Sequence, residues 1–152
     1  MFKNTLLQAT EAGAVELRRF FNGSFTISSK ASINDLVTEA DHASEKAIFS
    51  VIQKNFPDHF ILSEETGEIK QDSKIKWIID PIDGTKSFIS GNPVWATLIA
   101  LVIGDEVVLS VVSAPAMQQR WWASREAGAF TRNNSGQQRL SVSTTPDLVN
   151  AA

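Results

Sequence analysis

The spacing of apolar residues changes once along this chain, at Asn55-Phe56-Pro57, and that change limits the folds open to it. Before it, Leu7, Thr10, Ala14, Leu17 and Phe21 recur at steps of three and four, while Lys3, Glu11, Glu16 and Arg18 fall mostly elsewhere, as an amphipathic helix requires. This helix is expected to end near Asn22-Gly23. A second begins at Thr38, where Thr38-Glu39-Ala40-Asp41 approximates a capping box, with Ala43, Ala47 and Val51 as its inner stripe until Asn55-Phe56-Pro57 stops it.

Beyond that point the signals are those of strands. Phe60-Ile61-Leu62 and Trp77-Ile78-Ile79 read as buried strands that stop abruptly at acidic residues, each delivering a side chain to the rim of a sheet. Trp95 to Ile103 and Val107 to Ser113 are rich in β-formers and flank Gly104-Asp105, a turn suited to a tight hairpin. Further short strands are expected at Arg120 to Ala123, Gly128 to Arg132 and Arg139 to Val142, with Asn133-Asn134-Ser135-Gly136 as a turn. Helices first and an antiparallel sheet after them give an α+β class, a helix pair packed on a mainly antiparallel sheet. At 152 residues and 43% hydrophobic content, one globular domain over 1–152 is expected, with no repeat or linker. Thr144-Thr145-Pro146-Asp147 looks like a turn opening a new element, and Leu148 to Ala152 carry no stop signal, so the chain reads as cut.

Charge and composition exclude several function classes. Fourteen Lys and Arg against 17 Asp and Glu leave a formal charge of -3 and no basic field for a nucleic-acid backbone. The absence of Cys removes disulfides, thiolate zinc sites and a Cys nucleophile, and it fits a reducing compartment. The start at Met1 lacks a basic region followed by a long apolar run, so no signal peptide is read. The most apolar stretch, Val94 to Ile103, is about half the ~20 residues needed to cross a bilayer. A cytoplasmic protein without nucleic-acid or membrane partners is expected.

Three acidic groups stand out by position: Asp41 in a helix's first turn, Glu64-Glu65 after one strand, and Asp80 with Asp83 after another. Crowded carboxylates are costly unless a cation neutralises them, and oxygen ligands without Cys or a nearby His pair favour Mg²⁺ or Mn²⁺ over zinc. In Asp80-Pro81-Ile82-Asp83-Gly84-Thr85, Pro81 fixes φ so that both Asp residues can turn toward one point, and the Ile82 carbonyl is freed as an additional ligand. Gly84 admits close approach of substrate, a helix starting at Gly84-Thr85 would offer free N–H groups to phosphate, and the Thr85 hydroxyl could orient an attacking water. Taken singly, Asp83-Gly84 is an ordinary turn, and Asp41 and Glu64 are solvated caps; it is the combination that points to a site. An EF-hand loop from Asp80 fails because Gly91 stands where Glu is needed. A haloacid-dehalogenase phosphatase would set its Asp pair two apart near the chain start, whereas here the two are three apart and mid-chain.

Asp35-Leu36-Val37-Thr38-Glu39-Ala40-Asp41, Ile61-Leu62-Ser63-Glu64-Glu65-Thr66-Gly67 and Trp77-Ile78-Ile79-Asp80-Pro81-Ile82-Asp83-Gly84-Thr85-Lys86-Ser87-Phe88 resemble, in order, three signatures of the inositol monophosphatase family, over nearly the whole chain. The resemblance implies the first part of a layered αβαβα sugar-phosphatase fold, two or three Mg²⁺ ions, and direct attack of water on phosphorus. Carried across, Glu64, Asp80 and the Ile82 carbonyl resemble ligands of one metal, and Asp80 and Asp83 ligands of a second. Thr85, helped by Asp41, would orient the water, with Glu64 beside it, while Asp83 and the Gly84 and Thr85 amides hold the phosphate monoester. Lys30 matches a family lysine near the metals, though a solvated lysine reads almost as well, and Glu65 is a further candidate. The resemblance also implies a homodimer for a full-length form.

Phe88 to Trp95, Ser113-Ala114-Pro115-Ala116 and Arg120-Trp121-Trp122-Ala123 are most similar to the actinobacterial histidinol-phosphate phosphatase branch, which makes histidinol phosphate the favoured substrate. Inositol monophosphate is the first alternative; other sugar or nucleotide phosphates, or a metal-binding fragment without turnover, follow. The Trp residues read as packing, and His42 and His59 as surface or satisfied polar groups. A later Trp-Asp motif of the family, whose Asp completes the second metal site, has no counterpart here, since Glu126 and Asp147 sit in no matching context.

Overall fold

The structure, a computed structural model, describes residues 1–29, 36–69 and 71–146. Helix α1 (Phe2–Phe20) buries Leu6, Ala9, Thr10, Gly13, Ala14 and Leu17, and it ends, as expected, near Asn22-Gly23, where Asn22 takes a left-handed φ of 63°. A hairpin of β1 (Ile27–Ser29) and β2 (Leu36–Thr38), not anticipated from the sequence, leads into α2 (Glu39–Asn55). The capping box is complete: Thr38 Oγ1 accepts from the Ala40 and Asp41 amides, and Asp41 Oδ2 accepts from the Thr38 amide at 2.7 Å.

The inner stripe of α2 differs from expectation. Ala43, Ala47 and Val51 are only half-buried, and Ala40, Ser44, Ile48 and Ile52 face inward instead. Both rows follow the helical period, and the isoleucines take the interior because they remove more apolar surface from water. The two helices approach closely at Gly13, where a Cβ would stand 2.8 Å from Ser44 Oγ and 2.9 Å from Ile48 Cδ1.

The main sheet comprises β3 (Phe60–Ser63), β4 (Gly67–Ile69), β5 (Ile75–Asp83), β6 (Ala96–Ile103), β7 (Glu106–Ala114), β8 (Gln119–Ser124), β9 (Gly128–Asn133) and β10 (Gly136–Leu140). Their order is β10-β9-β8-β7-β6-β5-β3-β4, antiparallel throughout except for the parallel pair β3 and β5. The Gly104-Asp105 turn closes β6 on β7 as expected, with Ile103 opposite Glu106. The last strand starts earlier than Arg139, because Asn133 pairs with Gly136 and the turn shrinks to Asn134-Ser135.

Helices α1 and α2 cover one face of this sheet, where Trp77, Ile79, Ile99, Leu101 and Val111 pack with Leu6, Ile48 and Ile52. On the other face Leu62 is 36% and Ile78 40% exposed, so the buried strands expected at β3 and β5 are buried on one side. A second cluster of Leu17, Ala40, Ile82, Phe88 and Trp95, flanked by Phe21 and Phe25, lies under the segment after β5; the Phe88 and Trp95 rings meet edge-on at 4.9 Å. Trp77, Trp95 and Trp122 are buried, in line with a packing role. His42 is exposed, and His59 accepts a hydrogen bond from Trp77 Nε1 at 3.0 Å. Among the described residues no helix is long and apolar enough to cross a membrane.

Candidate active site

In a regular strand the alternation of side chains would send Asp80 and Asp83 to opposite faces. β5 avoids this with a bulge: Asp80 pairs with Leu98 and Asp83 with Ala96, so Pro81 and Ile82 together stand opposite Thr97. Cross-strand partners share a face, and Leu98 and Ala96 are two apart on β6, so both carboxylates lie on one face. Pro81 has no N–H to give the ladder and is tolerated at a bulge, while the buried Thr97 hydroxyl donates to the Pro81 carbonyl at 2.9 Å.

β3 delivers Glu64 beside this point. The Glu64 amide donates to the Ile79 carbonyl at 3.1 Å, and its carboxyl shares a hydrogen bond with Asp80. Burial, then the Glu64 charge and that shared hydrogen bond, then the Asp83 charge push the Asp80 carboxyl up to about 7, against a lowering contribution from the Ile82 backbone. Asp80 Oδ1 is buried and accepts no hydrogen bond.

The chain then turns at Gly84, φ +91°, into the short helix α3 (Thr85–Ile89), so the helix start expected at Gly84-Thr85 is present. The Thr85 hydroxyl donates to the Ile82 carbonyl at 3.1 Å, which leaves that oxygen a second lone pair. Asp41 is fully buried, and its Oδ2 accepts from both the amide and the hydroxyl of Thr38 at 2.7 Å. α3 packs against β2, the strand leading to Asp41.

The structure therefore brings Glu64, Asp80 and Asp83 into electrostatic contact and sets Ile82 and Thr85 against one another. Glu64, Asp83 and Gly84 are exposed, while Asp80, Thr85 and Glu65 are half-buried, which makes the site an open rim. Beside it lies a depression of about 500 Å³ lined by Leu62, Glu64, Ile78, Asp80, Leu98 and Ala100. A wider one, about 710 Å³, lies among Glu11, Arg18, Arg120 and Arg132, none of them a candidate site residue. Lys30 and Asp147 fall outside the described residues. Among those described, no three His, Asp or Glu side chains stand close enough to form a ready-made metal cage. The donors nonetheless fit Mg²⁺ or Mn²⁺: they are all oxygen, the buried Asp80 Oδ1 lacks a hydrogen-bond partner, and burial together with the Glu64 and Asp83 charges raises Asp80.

Sequence reasoning passed over two residues that shape this region. Thr97 holds the bulge, and its signal was a polar side chain within the apolar run of β6. Glu45, only 4% exposed, accepts from the Thr66 amide at 3.0 Å and from the Thr66 hydroxyl. Its signal was helical arithmetic, since it stands four residues after Asp41.

The sequence matches the inositol monophosphatase family over residues 2–152. This chain belongs to the inositol monophosphatase family. Within that family it is 44% identical over 117 residues to the histidinol-phosphatase of Mycobacterium tuberculosis, covering 76% of this chain and 45% of that protein. It is 39% identical over 149 residues to the histidinol-phosphatase of Streptomyces coelicolor, covering 95% of this chain and 55% of that protein. The crystal structure of the extragenic suppressor protein suhB from Bartonella henselae superposes with a TM-score of 0.86 at 33% identity, over 95% of this chain and 55% of that one. The chain thus spans about half the length of these relatives. The family read from the three motifs, its histidinol-phosphatase branch and the α+β class are borne out.

Proposed function

We propose that this chain is the metal-binding portion of a Mg²⁺-dependent phosphatase that hydrolyses a small phosphate monoester, with histidinol phosphate the favoured substrate. One observation carries the reading: the bulge at Pro81-Ile82 sets Asp80 and Asp83 on one face, with Glu64 hydrogen-bonded to Asp80. Family membership and identity to two histidinol-phosphatases support the substrate class. In this reading Glu64, Asp80, Asp83 and the Ile82 carbonyl hold the divalent cations. Bound cations would supply charge neutralisation at phosphorus and a lowered pKa for water.

The remaining work belongs to the chain's own groups. The Gly84 and Thr85 amides face the phosphate oxygens, and Gly84 lets backbone approach them without a Cβ in the way. The Thr85 hydroxyl, fixed against the Ile82 carbonyl, orients the attacking water, helped by Asp41. Water adds to phosphorus as the ester P–O bond breaks, and the proton it releases ends on the departing alcohol. The relatives' length, about twice that matched here, supports a second metal site completed by residues of a longer protein.

Calorimetric titration of the 152-residue chain with Mg²⁺ is expected to show binding that Asp80→Asn abolishes, while the chain alone turns over poorly. Phosphate release by a full-length protein carrying this sequence is then compared on histidinol phosphate, inositol monophosphate and a sugar bisphosphate, with histidinol phosphate expected to be fastest. Absence of Mg²⁺-stimulated release from all three overturns the enzyme reading. Full turnover by the chain alone overturns its incompleteness.

A further inference from the structure

Glu45 is a buried carboxylate, 4% exposed, on the inner side of α2, and among the described residues no cation pairs with it. Both of its oxygens are taken by one residue: Oε1 accepts from the Thr66 amide at 3.0 Å and Oε2 from the Thr66 hydroxyl. Burying an acid only to close a turn is costly, and a neutral amide in its place could accept just one of these two donors. Its NH₂ would meet the Thr66 hydroxyl only with that hydroxyl turned to accept, and the two charge-assisted contacts would be lost.

Thr66 ends the three-residue loop Glu64-Glu65-Thr66, which joins β3 to β4, with Ser63 opposite Gly67 and Gly67 at φ 78°. The other end of that loop is tied where the Glu64 amide donates to the Ile79 carbonyl, one residue before Asp80. Glu64 therefore hangs between two anchors, one on β5 and one on α2. The α2 anchor stands one turn beyond Asp41, on the helix whose start fixes Thr38.

We propose that Glu45 is a positioning residue of the carboxylate site, clamping Thr66 so that Glu64 is held against Asp80 in the arrangement a cation needs. This rests on the metal reading above. α2 then acts as a ruler, setting Asp41 by its cap and Glu64 by a contact one turn later. A ligand supported by a fixed partner loses less freedom when it takes up a metal, and removal of such a support typically lowers affinity about tenfold or more.

The test is Mg²⁺ titration of the chain and of its Glu45→Gln, Thr66→Val and Thr66→Ser variants well below their melting temperatures, with melting followed in metal-free buffer. Glu45→Gln and Thr66→Val are expected to weaken binding about tenfold, Thr66→Ser to restore it, and the double variant Glu45→Gln/Thr66→Val to lose little more than Glu45→Gln alone. Should Glu45→Gln fail to fold, Thr66→Val, which leaves Glu45 and the Thr66 amide in place, decides the matter. Affinities within about twofold of the unsubstituted chain in the folded variants, even with lowered melting temperatures, would reduce the clamp to a structural contact and overturn the inference. No Mg²⁺ binding by the unsubstituted chain would overturn the metal reading itself, and the clamp proposal with it.

Discussion

Gly84 answers to two demands at once. Its φ of +91° suits a residue without a side chain, and a Cβ there would lie 3.1 Å from the Val94 carbonyl and 3.4 Å from Trp95 Cα. Gly84→Ala should therefore lower stability by about 2 kcal/mol in urea unfolding, a loss a mere surface turn would not show. At His59 the stake is a proton. Burial lowers its pKa, with Asp58 pulling the other way, and the neutral ring accepts from Trp77 Nε1 while stacking on Phe56 at 4.6 Å. The unfolded chain takes up a proton near 6.5, before the folded one does, so the stability due to neutral His59 is complete above that pH and lost as pH falls through the folded value. Because Asp80, raised to about 7, gains stability over the same range as pH falls, the His59 share is read as a difference: the melting-temperature advantage of the unsubstituted chain over His59→Gln should shrink from about pH 7.5 to about pH 5. Asp80 and Asp83 were legible at this scale, because acids ending an apolar run around a Pro are a local pattern. Thr97 was not legible as the brace of the bulge. It lies sixteen residues from Pro81, and only cross-strand register brings the two together.

Element boundaries were readable where a cap or turn is written locally, as at Thr38, Asn22-Gly23 and Gly104-Asp105. Which face of an element turns inward was less readable. On α2 two rows of residues share the helical period, and the choice between them depends on α1, which meets the helix at Gly13. Gly13→Ala improves intrinsic helix propensity by about 1 kcal/mol, yet its methyl would press into Ser44 and Ile48. Overpacking should win, for a net loss of about 1 kcal/mol in chemical denaturation. A rise in stability would mean that the helices separate without cost. Strand β10 makes the same point at a turn: Asn133 to Gly136 was recognised as turn material, but pairing of its two outer residues shortened the turn and moved the strand forward.

For the molecule as a whole, the sheet divides two kinds of work. Trp77 and Ile79 face the helices, whereas Ile78 and Asp80 face the side those helices leave open. Adjacent substitutions should then differ sharply in thermal and urea unfolding: Trp77→Ala should cost about 4 kcal/mol, and Ile78→Lys under about 1 kcal/mol. Comparable losses at both positions would mean that the second face is also packed. The bulge in β5 carries a consequence for how such a chain can change through evolution. It works as a parity switch, one extra residue converting an odd separation between two acids into a shared direction. Straightening the bulge with no residue lost would keep every carboxylate in the sequence and turn Asp83 away from Asp80. A relative could lose the site in this way with all of its acids still in place.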